Sequence, residues 1–419
     1  MVVSENCIET DKIWLLFFNM MFSFYTVTIV QYLAYAVIVA FIVWKFAENG
    51  YQIYAFEFKK ILLICSGYAL LVLLAFLSRT WNDTVVEGSK LFLNMVKILV
   101  VMLCVVFYSK SIEKVKSVLL AYTQALAVMC ILILTTTPLS TYGTTQFWGI
   151  PNQHRNTVAN ATFFAILIVW YLAPYISSKM AKAMVAIFLV TGLCTGSRRG
   201  IIQLVLMAIL FTLTQKGIRK RIRLMMAGFF VGAVFLMVIT SVPQLNENYW
   251  PRFLGMFTTS IDDTVGEEKS AVGRNIYRSI GWQIAKERPW LGYGVDGFYG
   301  HLKGREYTYT TYRLEAVHSH CNYIEVLVNY GILGSLFYYF LPVYLIIKAW
   351  RRYKEERFSR MIVIIMMSTL VLDYGGVSYH QMFAIYLYAI FATGIYEQER
   401  TKEFESDDEY LLRKKGEAL

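Results

Sequence analysis

Charge is scarce in this chain: of 419 residues, 16% are Asp, Glu, Lys or Arg, against 57% hydrophobic. A soluble globular domain carries about a quarter charged residues, so that class is excluded. The six cysteines have no disulfide or zinc spacing; Cys65, Cys104, Cys130 and Cys194 lie in apolar runs, Cys7 near the start, and Cys321 beside a polar segment. No metal and no cofactor are therefore expected. Heptads, solenoid repeats, low-complexity blocks and a second soluble domain are also lacking. The first residues are acidic (Glu5, Glu9, Asp11) with no small-residue cleavage site, so no removable signal peptide is expected. The formal net charge of +11 would suit nucleic acid. Its basic residues sit in short loops between apolar runs, however, which is the pattern that orients membrane proteins, and nucleic acid is excluded as a partner.

What is present is a succession of apolar runs, giving an all-α, polytopic integral membrane protein with about twelve transmembrane helices and one large external loop. The run over 13–44 is too long for one span of about 20 residues and is split near Thr26-Val27-Thr28. Further spans are expected at roughly 60–78, 90–108, 116–137, 157–173, 181–196, 200–214, 222–241, 323–347, 361–373 and 379–396. The expected division is 1–241 and 323–397 as membrane helices, 242–322 as the large loop, and 398–419 as a mixed-sign, solvated cytoplasmic tail. Residues 215–223 hold Lys216, Arg219, Lys220, Arg221 and Arg223 without an acid, and residues 348–360 are similarly basic. Both are placed in the cytoplasm by the positive-inside rule, which puts 242–322 outside and both termini inside.

Segment 242–322 is long and polar, with nine basic residues between Arg252 and Arg313 balanced by nine acidic ones between Glu247 and Glu315. A loop of this length is usually functional. Within it, Ile276, Tyr277, Ile280 and Ile284 recur at helical spacing, which predicts an amphipathic helix over 273–285, ended by Pro289 and carrying Arg274 and Arg278. The glycine-rich turn 289–298 (PWLGYGVDGF) has the form of a loop that approaches a ligand closely, and its aromatic faces suit sugar rings or the bilayer surface.

Two further motifs carry chemistry. Thr195-Gly196-Ser197-Arg198-Arg199-Gly200 interrupts an apolar run at the face expected to be external. Arginine at membrane depth is costly without an anionic partner, and guanidinium grips phosphate oxygens with paired hydrogen bonds. Backbone N–H groups freed at Ser197 and Gly200 would add to that site, so a phosphate or diphosphate is the expected ligand. His318-Ser319-His320-Cys321-Asn322 then leads into the next span, with Glu325 placed to orient His320 or Cys321. Asn152, His154 and Arg155, at the start of another span, are candidates to line the same cleft.

Together, Ser-Arg-x-Gly at 197–200, Gly-Arg at 273–274, Pro-x-x-Gly-x-Gly at 289–294 and the run from His320 to Gly331 and Gly334 resemble the O-antigen ligase and polymerase family over roughly residues 150–350. The resemblance implies a metal-independent membrane glycosyltransferase of the bacterial cytoplasmic membrane. Its donor would be an undecaprenyl-diphosphate-linked oligosaccharide, its acceptor a glycan hydroxyl, and its partners a chain-length regulator and a flippase. It also implies His320, Arg198 and Arg274 as catalytic. From the residues themselves, Arg199, Arg278, His318, Asn322, Glu325, Arg155, His154 and Asn152 are the candidates to bind substrate. The first reading is a repeat-unit polymerase for capsule, exopolysaccharide or O-antigen. A ligase acting on lipid A core or protein is the second, and a transporter or flippase the alternative from another class. Family members often have Asn directly after the catalytic His; here it is Cys321, which bears on acceptor choice.

Overall fold

The computed structural model describes residues 8–24, 27–49, 54–82, 85–144, 154–254, 269–303, 308–309, 312–313 and 317–416. It is a helical membrane protein: α1 (Lys12–Ser23), α2 (Thr28–Asn49), α3 (Tyr54–Leu77), α4 (Val85–Tyr108), α5 (Ile112–Thr136), α6 (Arg155–Leu172), α7 (Ser178–Cys194), α8 (Arg198–Leu213) and α9 (Ile218–Ser241) precede the polar segment. That segment contains α10 (Pro243–Leu254), α11 (Lys269–Glu287), α12 (Gly297–Lys303) and a minimal hairpin of β1 (Thr308–Tyr309) and β2 (Tyr312–Arg313), with Thr308 opposite Arg313. Then follow α13 (Asn322–Trp350), α14 (Arg357–Leu372) and α15 (Met382–Gly416).

Among the described residues, seven helices are long and apolar enough to cross a membrane. The split in the first apolar run falls where expected, but α1 has only 12 residues, about 18 Å of helix against a hydrocarbon core of about 30 Å. Its Trp14, Phe17, Phe18, Met21 and Phe22 are buried against neighbouring helices rather than turned to lipid. The helix predicted over 273–285 is observed, longer, as α11. Into the tail, α15 runs past Glu397 as continuous helix. Buried Glu397 pairs with buried Lys60 on α3 at 2.7 Å, and Lys402 pairs with Glu356 at 2.6 Å. Leaving such a buried ion unpaired costs several kcal/mol, so that register of α15 on α3 is held by chemistry.

One joint positions everything on the loop face. Within α13, Gly331 has φ 65° and ψ −164°, breaking the helix one third of the way along. A break in a buried helix leaves carbonyls and N–H groups that need partners. The glycine-rich turn supplies them: Tyr293 N donates to Val328 O (2.8 Å) and Gly294 N to Asn329 O (2.7 Å), while Ile332 N donates to Pro289 O (2.8 Å). A Cβ on Gly292 would stand 2.5 Å from Val328 O, and one on Gly331 2.3 Å from the Trp290 carbonyl carbon. The close approach read from the turn's glycines is thus made to the backbone of α13, not to a ligand.

Above the break, α13 serves a second core. Val328, with Ile324 and Leu327 beside it, packs with Tyr277, Ile284 and Ala285 of α11 and with Phe298 and Leu302 of α12. Below the break, Tyr338, Leu341 and Leu345 join the main core. One helix thereby packs α11 and α12 onto the bundle.

Candidate active site

The start of α8 is built by its own cap. Ser197 Oγ accepts from Gly200 N at 3.0 Å and donates to Asn156 Oδ1 at 2.7 Å. The N–H expected to be free for an anion at Gly200 is therefore already used, and the cationic character of this end rests on its arginines. The Ser197–Asn156 bond also brings α8 against the start of α6, where His154 Nδ1 caps Asn156 N at 3.1 Å and Arg155 opens the helix.

Across from these two helix starts lies α11, whose Arg274 and Arg278 are one turn apart on the same face. Burial, and then the neighbouring Arg198, Arg199, Arg155 and Arg278, disfavour the charged form of Arg274. Five guanidiniums from three helices far apart in sequence thus converge. Arg274 Nε and Arg199 Nε are buried without a hydrogen-bond partner. Gathering like charges at a partly desolvated site is unfavourable unless an anion is to be held there.

His320 stands at the edge of this cluster. It is one of two non-glycine residues among those described with positive φ (55°), a left-handed conformation that reverses the chain just before α13. Its ring lies 6.2 Å from that of Tyr277. Burial, then Arg274 and His318, push its pKa down to about 4, with Glu325 opposing. The imidazole is therefore neutral around pH 7 and able to accept a proton. His154 is likewise pulled down by burial and by Arg155, Arg274 and Arg199.

Because of the reversal at His320, the carboxylate of Glu325 meets a different histidine from the one expected. Its Oε1 lies 3.1 Å from His318 Nδ1, and its Oε2 accepts from Ser319 N at 2.7 Å. Glu325 is wholly buried while the His318 side chain is 46% exposed. Glu325 and Asn322 are both fully buried, and the polar atoms of their side chains are engaged by other residues of the protein. Asn322 is fully buried, with its Nδ2 donating to Tyr339 Oη (2.8 Å) and Asp373 Oδ2 (3.2 Å) and its Oδ1 accepting from Ser378 N and Tyr379 N. Cys321 is buried too, at 2% exposure.

Sequence reasoning missed that last partner set. The turn after α14, 373–381, packs against residues of the site: Asp373 Oδ1 accepts from Ser378 Oγ at 2.6 Å, Arg278 Nη1 donates to Tyr374 O at 3.2 Å and its guanidinium covers the Tyr374 ring at 4.1 Å. The His380 ring lies 5.9 Å from that of His318. Asp373 and His380 both lie in this turn, between α14 and α15. Asn152 lies outside the described residues. No three His, Cys, Asp or Glu side chains among the described residues converge so as to hold a metal ion.

Residues 183–339 match the family model described as O-antigen ligase, so the resemblance read from the motifs holds over that segment. It takes in α8, the polar segment and the upper part of α13, and with them Arg198, Arg199, Arg274, Arg278, His318 and His320; His154, Arg155 and the 373–381 turn lie outside it. No curated protein matches the chain.

Proposed function

From a polytopic membrane protein whose residues 183–339 belong to the O-antigen ligase family, we propose a lipid-diphosphate-dependent glycosyltransferase that polymerises oligosaccharide repeat units. The single observation that carries this reading is the convergence of Arg155, Arg198, Arg199, Arg274 and Arg278 beside a neutral His320.

The reaction needs two things. As the acceptor oxygen bonds the anomeric carbon, the bond to the diphosphate breaks and its electron pair stays on a phosphate oxygen, so negative charge grows on the leaving group. Guanidiniums fixed in a partly desolvated site stabilise that charge without reorganising. The acceptor hydroxyl must also lose its proton, and a positioned imidazole taking it contributes typically about 10²–10⁴-fold. In this reading Arg198 and Arg274 hold the diphosphate, with Arg155, Arg199 and Arg278 supporting, and His320 takes the proton. The donor is an undecaprenyl-diphosphate oligosaccharide and the site faces away from the cytoplasm.

The test is polymer length on membranes with matched protein levels. Arg198→Ala and Arg274→Ala should abolish chain formation, and Lys replacements should rescue poorly, because a point charge does not reproduce the paired grip of guanidinium. His320→Ala should lose chain formation yet retain donor binding. Near-normal polymer from His320→Ala removes the base assignment; near-normal polymer from both arginine variants removes the whole reading. Ligase and polymerase separate in a deletion strain: single repeat units on the acceptor mark a lost polymerase, whereas uncapped long chains mark a lost ligase.

A further inference from the structure

We propose that His318 and Glu325 form the proton sink of the transfer, receiving from His320 the proton that the acceptor hydroxyl gives up. This rests on the glycosyl-transfer reading and extends it to a pair of positioning residues.

The geometry is that of a carboxylate-held imidazole. Glu325 is fixed on α13, wholly buried, with Oε2 held by the Ser319 N–H at 2.7 Å and Oε1 3.1 Å from His318 Nδ1. A carboxylate on one ring nitrogen sets the tautomer, leaves the other nitrogen to accept, and stabilises the imidazolium that forms. The half-exposed His318 side chain then has a route for the proton to solvent.

The need for a sink follows from where His320 sits. Arg274 of α11, His154 beside Arg155 of α6, and His318 itself all face it and penalise a positive charge there, with Glu325 the opposing carboxylate. A proton taken by His320 is therefore held weakly and must leave before the next turnover. His318 is surrounded differently: Glu325 of α13 and Asp296 of the turn before α12 face it with negative charge, and the neutral His380 of the 373–381 turn lies across from it. The acceptor O–H bond breaks as the glycosidic bond forms, the proton rests on His320, then passes to His318 and to water. No electron or further reactant is required.

The experiment is the pH–rate profile of polymer formation by the full chain in lipid nanodiscs, with the lipid-linked repeat unit as donor and with donor binding measured in parallel. In the wild type the acid limb follows filling of the sink. Glu325→Gln should move that limb to lower pH by about one unit or more, the usual effect of removing an adjacent opposite charge, and lower the plateau about tenfold, with donor binding unchanged. His318→Gln, whose amide keeps a donor for the buried Glu325 carboxylate, should also move the limb down. If both variants keep the wild-type limb, whatever their plateau, the sink is overturned and the transfer reading stands. Absence of transfer by the wild-type protein instead overturns the transfer reading on which the sink depends.

Discussion

The guanidinium of Arg199 occupies the space where a side chain on Gly376 would begin: a Cβ built on that glycine would stand 2.0 Å from Arg199 Nη1. This contact joins α8 to the 373–381 turn, and Arg199 feels both the buried carboxylate of Asp373 and, from α11, the guanidinium of Arg274. Gly376 itself has φ −179°, extended backbone open to any residue.

Gly376→Ala is accordingly a way to move a cation without removing it. The backbone tolerates the methyl, so the side chain that yields is Arg199. Transfer should fall by about tenfold or more, the equivalent of one charge-assisted contact at on the order of 1.5–3 kcal/mol, while thermal stability changes little. Rates for Gly376→Ala and Arg199→Ala, measured side by side on purified protein, check this; wild-type rates from Gly376→Ala would show that the position of Arg199 is immaterial.

Orientation can be tested at positions the fold leaves open. Cys321 is buried and reports nothing to a thiol reagent, whereas Lys286 on α11 is exposed. With 242–322 outside, a cysteine at Lys286 should react with a membrane-impermeant reagent in permeabilised-outer-membrane or sealed cells, and one at Lys220, in the basic loop before α9, should not. Reaction at Lys220→Cys with none at Lys286→Cys would invert the topology and take the proposed site to the cytoplasmic face.

The joint at the α13 break should be sensitive to a single methyl. Gly292 has φ 64° and faces Val328 O, so Gly292→Ala adds both backbone strain and a clash, together on the order of 1–3 kcal/mol. Thermal unfolding in detergent should shift down, and the polar segment should become more accessible to protease. An unchanged unfolding temperature would mean that the turn and α13 separate at little cost.

Acidification should destabilise the fold. Burial pushes His320 and His380 down to about 4, whereas an unfolded imidazole titrates near 6.5. Between those values the unfolded chain binds more protons, so stability falls as pH falls. His318 works in the opposite sense: held up chiefly by its bond to Glu325, its contribution is full below the unfolded value and fades as pH rises through the folded one. His154 is pulled down as well, and three histidines against one predict a lower unfolding temperature at pH 5 than at pH 7. His380→Gln should shrink that difference, since its buried Nε2 makes no hydrogen bond; a difference unaffected by this change would assign the acid sensitivity elsewhere.

Much of this protein is written locally in its sequence. Apolar run length determines which stretches can be membrane helices, the 3.6-residue spacing of Ile276, Ile280 and Ile284 determines α11, and the Arg198 and Arg274 motifs identify what must meet. These are properties of neighbouring residues, governed by burial and helical period, and no tertiary information is needed to read them. Only the tertiary structure decided who partners whom. A single left-handed residue, His320, turns the chain so that Glu325 takes His318 in its place; the glycines of 289–294 meet the broken backbone of α13 rather than a ligand; Asn322 is consumed by Asp373, Tyr339 and the backbone of the 373–381 turn. The reason is physical. Each of those outcomes satisfies a buried polar group with a partner set by how helices pack, often from far along the chain, and periodicity carries no record of which partner that is.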